Sequence, residues 1–120
     1  MGREVVIAIA TAGSGGINDV VAEVFARAPT FTIVKVVNGE VKEVRTIRNP
    51  AKGYSVGIGP IVVKALVDMG VKAVVGPEFG VSVETMLKEH GVVAVTAKSG
   101  VGVREAVAKA LREVEARGKP

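Results

Sequence analysis

The chain opens on Val5-Val6-Ile7-Ala8-Ile9-Ala10, six apolar residues with no period-two break. A strand covered on both faces reads this way, so this run predicts a central strand. It gives way to Thr11-Ala12-Gly13-Ser14-Gly15-Gly16, a glycine-rich loop. From Ile17 to Arg27 the apolar residues Val20, Val21, Val24 and Phe25 fall at mixed spacing, which predicts a loop with a single helical turn. Phe31 to Val37 and Glu40 to Arg48 are β-rich runs separated by Asn38-Gly39, the dipeptide that best fits a type I′ hairpin turn. Alternation fails in the second run, where Val41, Glu43, Val44, Arg45 and Ile47 mix charge with apolar residues, as in an edge strand protected against aggregation.

After Asn49-Pro50 and a flexible segment, Ala51 to Gly59, the pattern becomes helical. Pro60 as first helical residue behind a Gly59 cap, an apolar face of Ile61, Val62, Ala65, Leu66 and Met69, and the stop Gly70 predict one helix. A strand over Lys72–Val75, a helix over Ser82–His90 stopped by Gly91, and a short strand over Val92–Val95 follow. Gly102 to Arg117 closes the pattern as a helix with Ala106, Val107, Ala110, Leu111 and Val114 on one face and Glu105/Lys109 and Glu113/Arg117 spaced as i,i+4 pairs. Strand, hairpin, then helix-strand-helix-strand-helix predicts a three-layer α/β domain: a mixed five-stranded sheet with an edge hairpin and helices on its faces. One domain spans residues 1–120, with its core at about 4–114. Ligands of such sheets sit at the carboxyl ends of the parallel strands, where Ala12–Gly16, Gly76–Gly80 and Ala97–Gly102 should gather, joined by Gly53–Gly59.

Composition removes function classes. No cysteine means no disulfide framework, thiolate zinc site, Cys-ligated iron-sulfur cluster or thiol nucleophile, and a single histidine, His90, excludes a multi-histidine site. Sixteen Lys and Arg against 12 Asp and Glu give a net charge of +4, a mild bias toward anionic partners. The basic residues are scattered and only Phe25, Phe31, Tyr54 and Phe79 are aromatic, so neither a basic stripe nor a stacking platform for nucleic acid is expected. No membrane segment is expected either, because no apolar run approaches the roughly 18 residues one requires. Glu4 and the short apolar run argue against a signal peptide, Val6 fails the myristoylation pattern, and the expected compartment is the cytoplasm. The absence of glutamine as well as cysteine points to a thermophilic source.

The glycine loops could cradle an anion on backbone amides. Yet Gly13-Ser14-Gly15-Gly16 lacks the dinucleotide fingerprint, Pro60 removes a donor from Gly57-Ile58-Gly59, and there is no Walker lysine motif, so turn chemistry is the simpler reading. Asp19 and Asp68 are too far apart in the expected fold for two-metal hydrolysis. His90, in a last helical turn before a glycine, suits the helix dipole better than a metal.

One ordered set of motifs goes further: Ile7-Ala8-Ile9-Ala10-Thr11, then Phe25-Ala26-Arg27-Ala28-Pro29-Thr30-Phe31, then Asn49-Pro50-Ala51 and Gly57-Ile58-Gly59. From about Glu4 to Leu111 the chain resembles the dinitrogenase iron-molybdenum cofactor biosynthesis family. The resemblance implies a ribonuclease H-like fold and a non-enzymatic role as carrier of an iron-molybdenum or other metal-sulfur cluster, an accessory of nitrogen fixation with a client metalloenzyme as partner. Val24 stands where the family has histidine and Ala26 where it has glycine. With no cysteine, a cluster would be held as an anion, by backbone amides, Arg27 and a carboxylate, and no residue is expected to ligate metal directly. The expected binding residues are Gly13, Ser14, Gly15, Arg27, Gly57, Gly59, Gly76 and Gly80. Arg27 has a second reading, as a partner of Glu23 or a cap on a loop carbonyl. The rival functions are a binding protein or small enzyme for an anionic metabolite, using Ser14, Glu78 or His90, and an interaction module. The expected state is a monomer or a weak homo-oligomer.

Overall fold

A computed structural model describes residues 3–117. Its elements in chain order are β1 (Glu4–Thr11), β2 (Thr30–Val37), β3 (Glu40–Arg48), α1 (Ile58–Asp68), β4 (Ala73–Gly76), α2 (Val81–Glu89), β5 (Val93–Thr96) and α3 (Val103–Arg117). They form one five-stranded sheet in the order β3-β2-β1-β4-β5. β1 is central, pairs antiparallel with β2 and parallel with β4, and β5 extends the sheet in parallel.

The unbroken apolar run of β1 is explained by helices on both sides. Ile7 and Ile9 face a core completed by Val75, Val95 and the Ala106, Val107 and Ala110 face of α3. Ala8 and Ala10 face the opposite core, where their small side chains leave room for Phe25, Phe31, Leu66 and Leu87 beneath α1 and α2. Phe25 and Phe31 meet edge to face with ring centroids 5.4 Å apart, and Phe25 also packs on Phe79 at 4.9 Å.

Asn38 and Gly39 both have positive φ, 52° and 83°, as a type I′ turn demands. The failed alternation in β3 has a structural cause. Lys35 lies opposite Glu43 and Val36 opposite Val41, so Lys42 is an extra residue in a β-bulge. The bulge resets the parity and puts Val41 and Val44 on one face, opposite Val36 and Val34.

Two expectations need correction. Residues 17–27 form irregular bends and turns with isolated bridges at Val20 and Val21. α1 begins two residues early, with Gly57 as its cap. Pro60 is therefore the third helical residue, and its missing N–H costs nothing because the first intrahelical bond comes from Ile61 to the Gly57 carbonyl. In α3, Lys109 donates to the Thr96 carbonyl at the end of β5, a partner outside its own helix. No helix among the described residues is long and apolar enough to cross a membrane.

Candidate functional site

The direction of β1 places the starts of β2 and α1 and the end of β3 at the carboxyl end of the parallel strands. The loops after β1, β4 and β5 lie at that end too. Residues 19–22 lace two of them together: Ala12 donates to the Val20 carbonyl at 3.0 Å, Val21 to Val101 at 2.8 Å and Val103 to Asp19 at 3.0 Å. Ala97 donates to the Gly76 carbonyl at 2.9 Å, joining the third. The chain then crosses to the α1 side, burying Ala22, Phe25 and Ala28.

The first glycine loop folds around an anion of its own. The Asp19 carboxylate accepts hydrogen bonds from the N–H groups of Gly13 (3.0 Å), Gly15 (2.7 Å) and Val20 (2.7 Å). A chain of hydroxyls underlies this turn. Gly16 N–H donates to Thr32 Oγ1 (3.0 Å), Thr32 to Thr11 (3.2 Å), Thr11 to Thr30 (2.6 Å), and Thr30 to the Gly13 carbonyl (2.8 Å). Each hydroxyl in this direction donates once and accepts once, which satisfies the fully buried Thr11 and Thr32. Gly15 has φ +89°, and a Cβ there would lie 2.3 Å from the Thr46 methyl on β3. Ala12, Gly13 and Ser14 are exposed at the tip.

The second glycine segment is built differently. Asn49 Nδ2 donates to the carbonyls of Ala26 and Ala28, both at 2.8 Å, while its Oδ1 accepts from Ala51 N–H at 2.8 Å. One side chain thus fastens the Arg27 loop to the turn after β3. Arg27 Nη1 donates to the Tyr54 carbonyl at 3.2 Å, the loop-carbonyl alternative of its two structural readings. Between these segments opens a cleft of about 300 Å³ lined by Arg27, Asn49, Lys52, Gly53 and Ile58, among others. Its charged lining residues are both cations, Arg27 and Lys52. α1 starts at its wall with no side chain capping Gly57 and no acidic residue in the first turn, so the positive end of the helix dipole adds to the two cations.

The expected binding residues therefore separate. Arg27 and Gly57 belong to the cleft segments. Gly13, Ser14 and Gly15 belong to the Asp19 loop. Gly59 is a packing position, where a Cβ would lie 2.7 Å from Val83 of α2, and Gly76 is another, with Phe25 at 3.0 Å. Gly80 caps α2. Ser14, Glu78 and His90 are all exposed, and His90, as the C-cap of α2, lies at the other end of the sheet from Ser14 and Glu78. No group of three or more His, Cys, Asp or Glu able to hold a metal ion exists among the described residues. Residue reading missed Asp19 as a loop anion and Lys52 as a cleft cation. An acid within four residues of a glycine cluster was the available signal for the first; nothing marked the second.

Fold and cleft together define a small three-layer α/β domain with a cation-lined opening at the carboxyl end of its parallel strands. The family profile described as dinitrogenase iron-molybdenum cofactor matches residues 5–113, and the chain belongs to this family. A solved relative in fold is the apo form of the orange protein from Desulfovibrio gigas, with a TM-score of 0.77 at 24% identity, covering 91% of this chain and 88% of that one. A Thermotoga protein of the DUF35 family superposes with a TM-score of 0.67 at 30% identity, again covering 91% and 88%. An uncharacterised protein of Methanocaldococcus jannaschii is 31% identical over 68 residues, 57% of this chain, and the match spans 58% of that protein's length.

Proposed function

We propose that the protein carries an anionic metal-sulfur cluster of the iron-molybdenum type, held by charge and hydrogen bonds in the Arg27–Lys52 cleft and passed to a client metalloenzyme. The supporting observation is the cleft itself: two cations, an uncapped helix N-terminus and no carboxylate among its lining residues. Cluster sulfides are acceptors, and a guanidinium fork with an adjacent ammonium suits them without a protein-metal bond. The residues present fit this outer-sphere mode. They do not offer a thiolate or histidine set for direct ligation. Arg27 would orient the cargo, Lys52 would neutralise it, and the exposed Tyr54–Val56 segment at the rim would meet the recipient.

Anaerobic titration with tetrathiomolybdate, followed by its sulfur-to-metal absorption bands, tests the reading. Saturable binding that weakens at least about 10-fold in Arg27→Ala and in Lys52→Ala, the loss expected for one charge-assisted contact, supports it. Equal binding by parent and both variants removes the cleft from the site. Binding of inorganic phosphate in place of the thiometalate would favour an anionic metabolite as ligand.

A further inference from the structure

The two edges of the sheet are unlike. The β5 edge is four residues long, and Lys109 covers the carbonyl of Thr96 at its end. The β3 edge runs nine residues, and eight of them are exposed. α3 packs over β1, β4 and β5. Val41 (46% exposed) and Val44 (37%) consequently lie uncovered in a groove of about 380 Å³ shared with Ile17, Arg104 and Val107. Long unpaired edges bearing apolar residues are templates for another strand, and charges normally protect them. Here the charges have a pattern.

We propose that β3 pairs antiparallel with β3 of a second copy of this chain, about a two-fold axis at Val44, to give a closed dimer with one sheet continuous across both copies. The argument is one of register. In an antiparallel pair, opposed residues exchange both backbone hydrogen bonds or neither, so a symmetric pairing must centre on a residue. Centred on Val44, it sets Glu43 against Arg45 twice, Lys42 against Thr46 twice, and Val44 against its copy. Centred one residue away in either direction, it opposes Glu43 to Glu43 or Arg45 to Arg45, and like charges directly opposite are destabilising. A centre at Thr46 brings no opposite charges together.

The bulge contributes. By placing Val41 on the face of Val44, it lets the Val44 pair at the axis extend the apolar groove of each copy across the junction. Glu43 already lies 3.5 Å from Arg45 and 3.7 Å from Lys35 of its own chain, on the opposite face. The second copy would complete an alternating charge cluster there. A two-fold pairing occupies the β3 edge of each copy, so this contact closes at two.

Sedimentation velocity over a range of concentrations, with circular dichroism to establish folding, tests the interface. The parent should show a reversible monomer–dimer equilibrium. Glu43→Arg and Arg45→Glu, each alone, replace both attractions with repulsions and should weaken dimerisation at least about 10-fold. An equimolar mixture of the two variants should restore it, because the paired arginines of one variant then lie opposite the paired glutamates of the other. Val44→Asp, which sets two carboxylates at the axis, should give a folded monomer that no mixture rescues. A parent that stays monomeric to millimolar concentration overturns the proposal. So does a dimer unaffected by the single reversals, or a mixture that stays monomeric.

Discussion

The two glycine-rich segments look alike in sequence and do opposite things. Around Gly13–Gly16 the amides converge on the Asp19 carboxylate, and a run of threonine hydroxyls braces the turn from below. Around Gly53–Gly59 no carboxylate enters; Arg27 and Lys52 stand beside an uncapped helix, and an open cleft results. Glycine supplies backbone freedom in both, but the nearest charged side chain decides whether that freedom makes a closed turn or a site. A loop that neutralises its own amides positions other segments; one left electropositive can receive an anion.

The sharpest way to break the contrast is to empty the closed loop. Asp19→Ala removes the acceptor of three amides at once and should cost about 3 kcal/mol, since charged hydrogen bonds contribute about 1.5–3 kcal/mol each and solvent replaces part of the loss. Chemical denaturation measures it. Asp19→Asn, which keeps one acceptor oxygen, should fall between. If the loop then became an anion site, thiometalate binding should appear in Asp19→Ala that survives a second substitution, Arg27→Ala. The matching change on the open side is Asn49→Ala. It strands the Ala26 and Ala28 carbonyls and the Ala51 N–H, and a loss of about 2 kcal/mol is expected because water reaches part of this turn. Its diagnostic is faster amide exchange confined to residues 26–29 and 49–53, with the first loop unchanged.

Thr32→Val comes next. It interrupts the hydroxyl chain at a fully buried position while conserving shape, leaving Gly16 N–H and the Thr11 hydroxyl each without one partner. A cost of about 1–2 kcal/mol is expected from denaturation curves. Thr30→Val at the half-buried far end should cost less, and a double variant that costs less than the two singles summed marks the chain as a connected unit.

Periodicity and turn chemistry made most of the fold legible: the central strand, the Asn38-Gly39 hairpin and three helices lie within two residues of their expected bounds. What stayed hidden was set by contacts distant in sequence. The bulge at Lys42 shows only as disturbed alternation, because its parity is fixed by β2. Residues 17–27 carry a helix-like scatter of valines, yet their backbone bonds go to β1 and the 100–103 loop, which no local pattern encodes. The site was half legible. Arg27, Asn49 and Gly57 lie within motifs that stand out in order and spacing, whereas the role of Asp19 depends on a turn that brings it back under Gly13 and Gly15, and Lys52 faces the cleft only because Asn49 fastens two loops together.

Arg27→Ala should have the smallest effect on stability and is the most informative substitution for function. The side chain is exposed and, among the described residues, makes one hydrogen bond, to the Tyr54 carbonyl at 3.2 Å, so its removal should change unfolding free energy by less than about 0.5 kcal/mol. The Tyr54 carbonyl can turn to water when the guanidinium leaves, and Asn49 still holds both walls of the cleft. A purely structural arginine would lose stability and leave thiometalate affinity alone. An arginine kept for its charge should show the reverse: unchanged denaturation, weakened anion binding, and a partial return of binding in Arg27→Lys, which restores the charge but not the planar fork. Together, the denaturation midpoint and the titration decide whether the open segment differs from the closed one in function or only in shape.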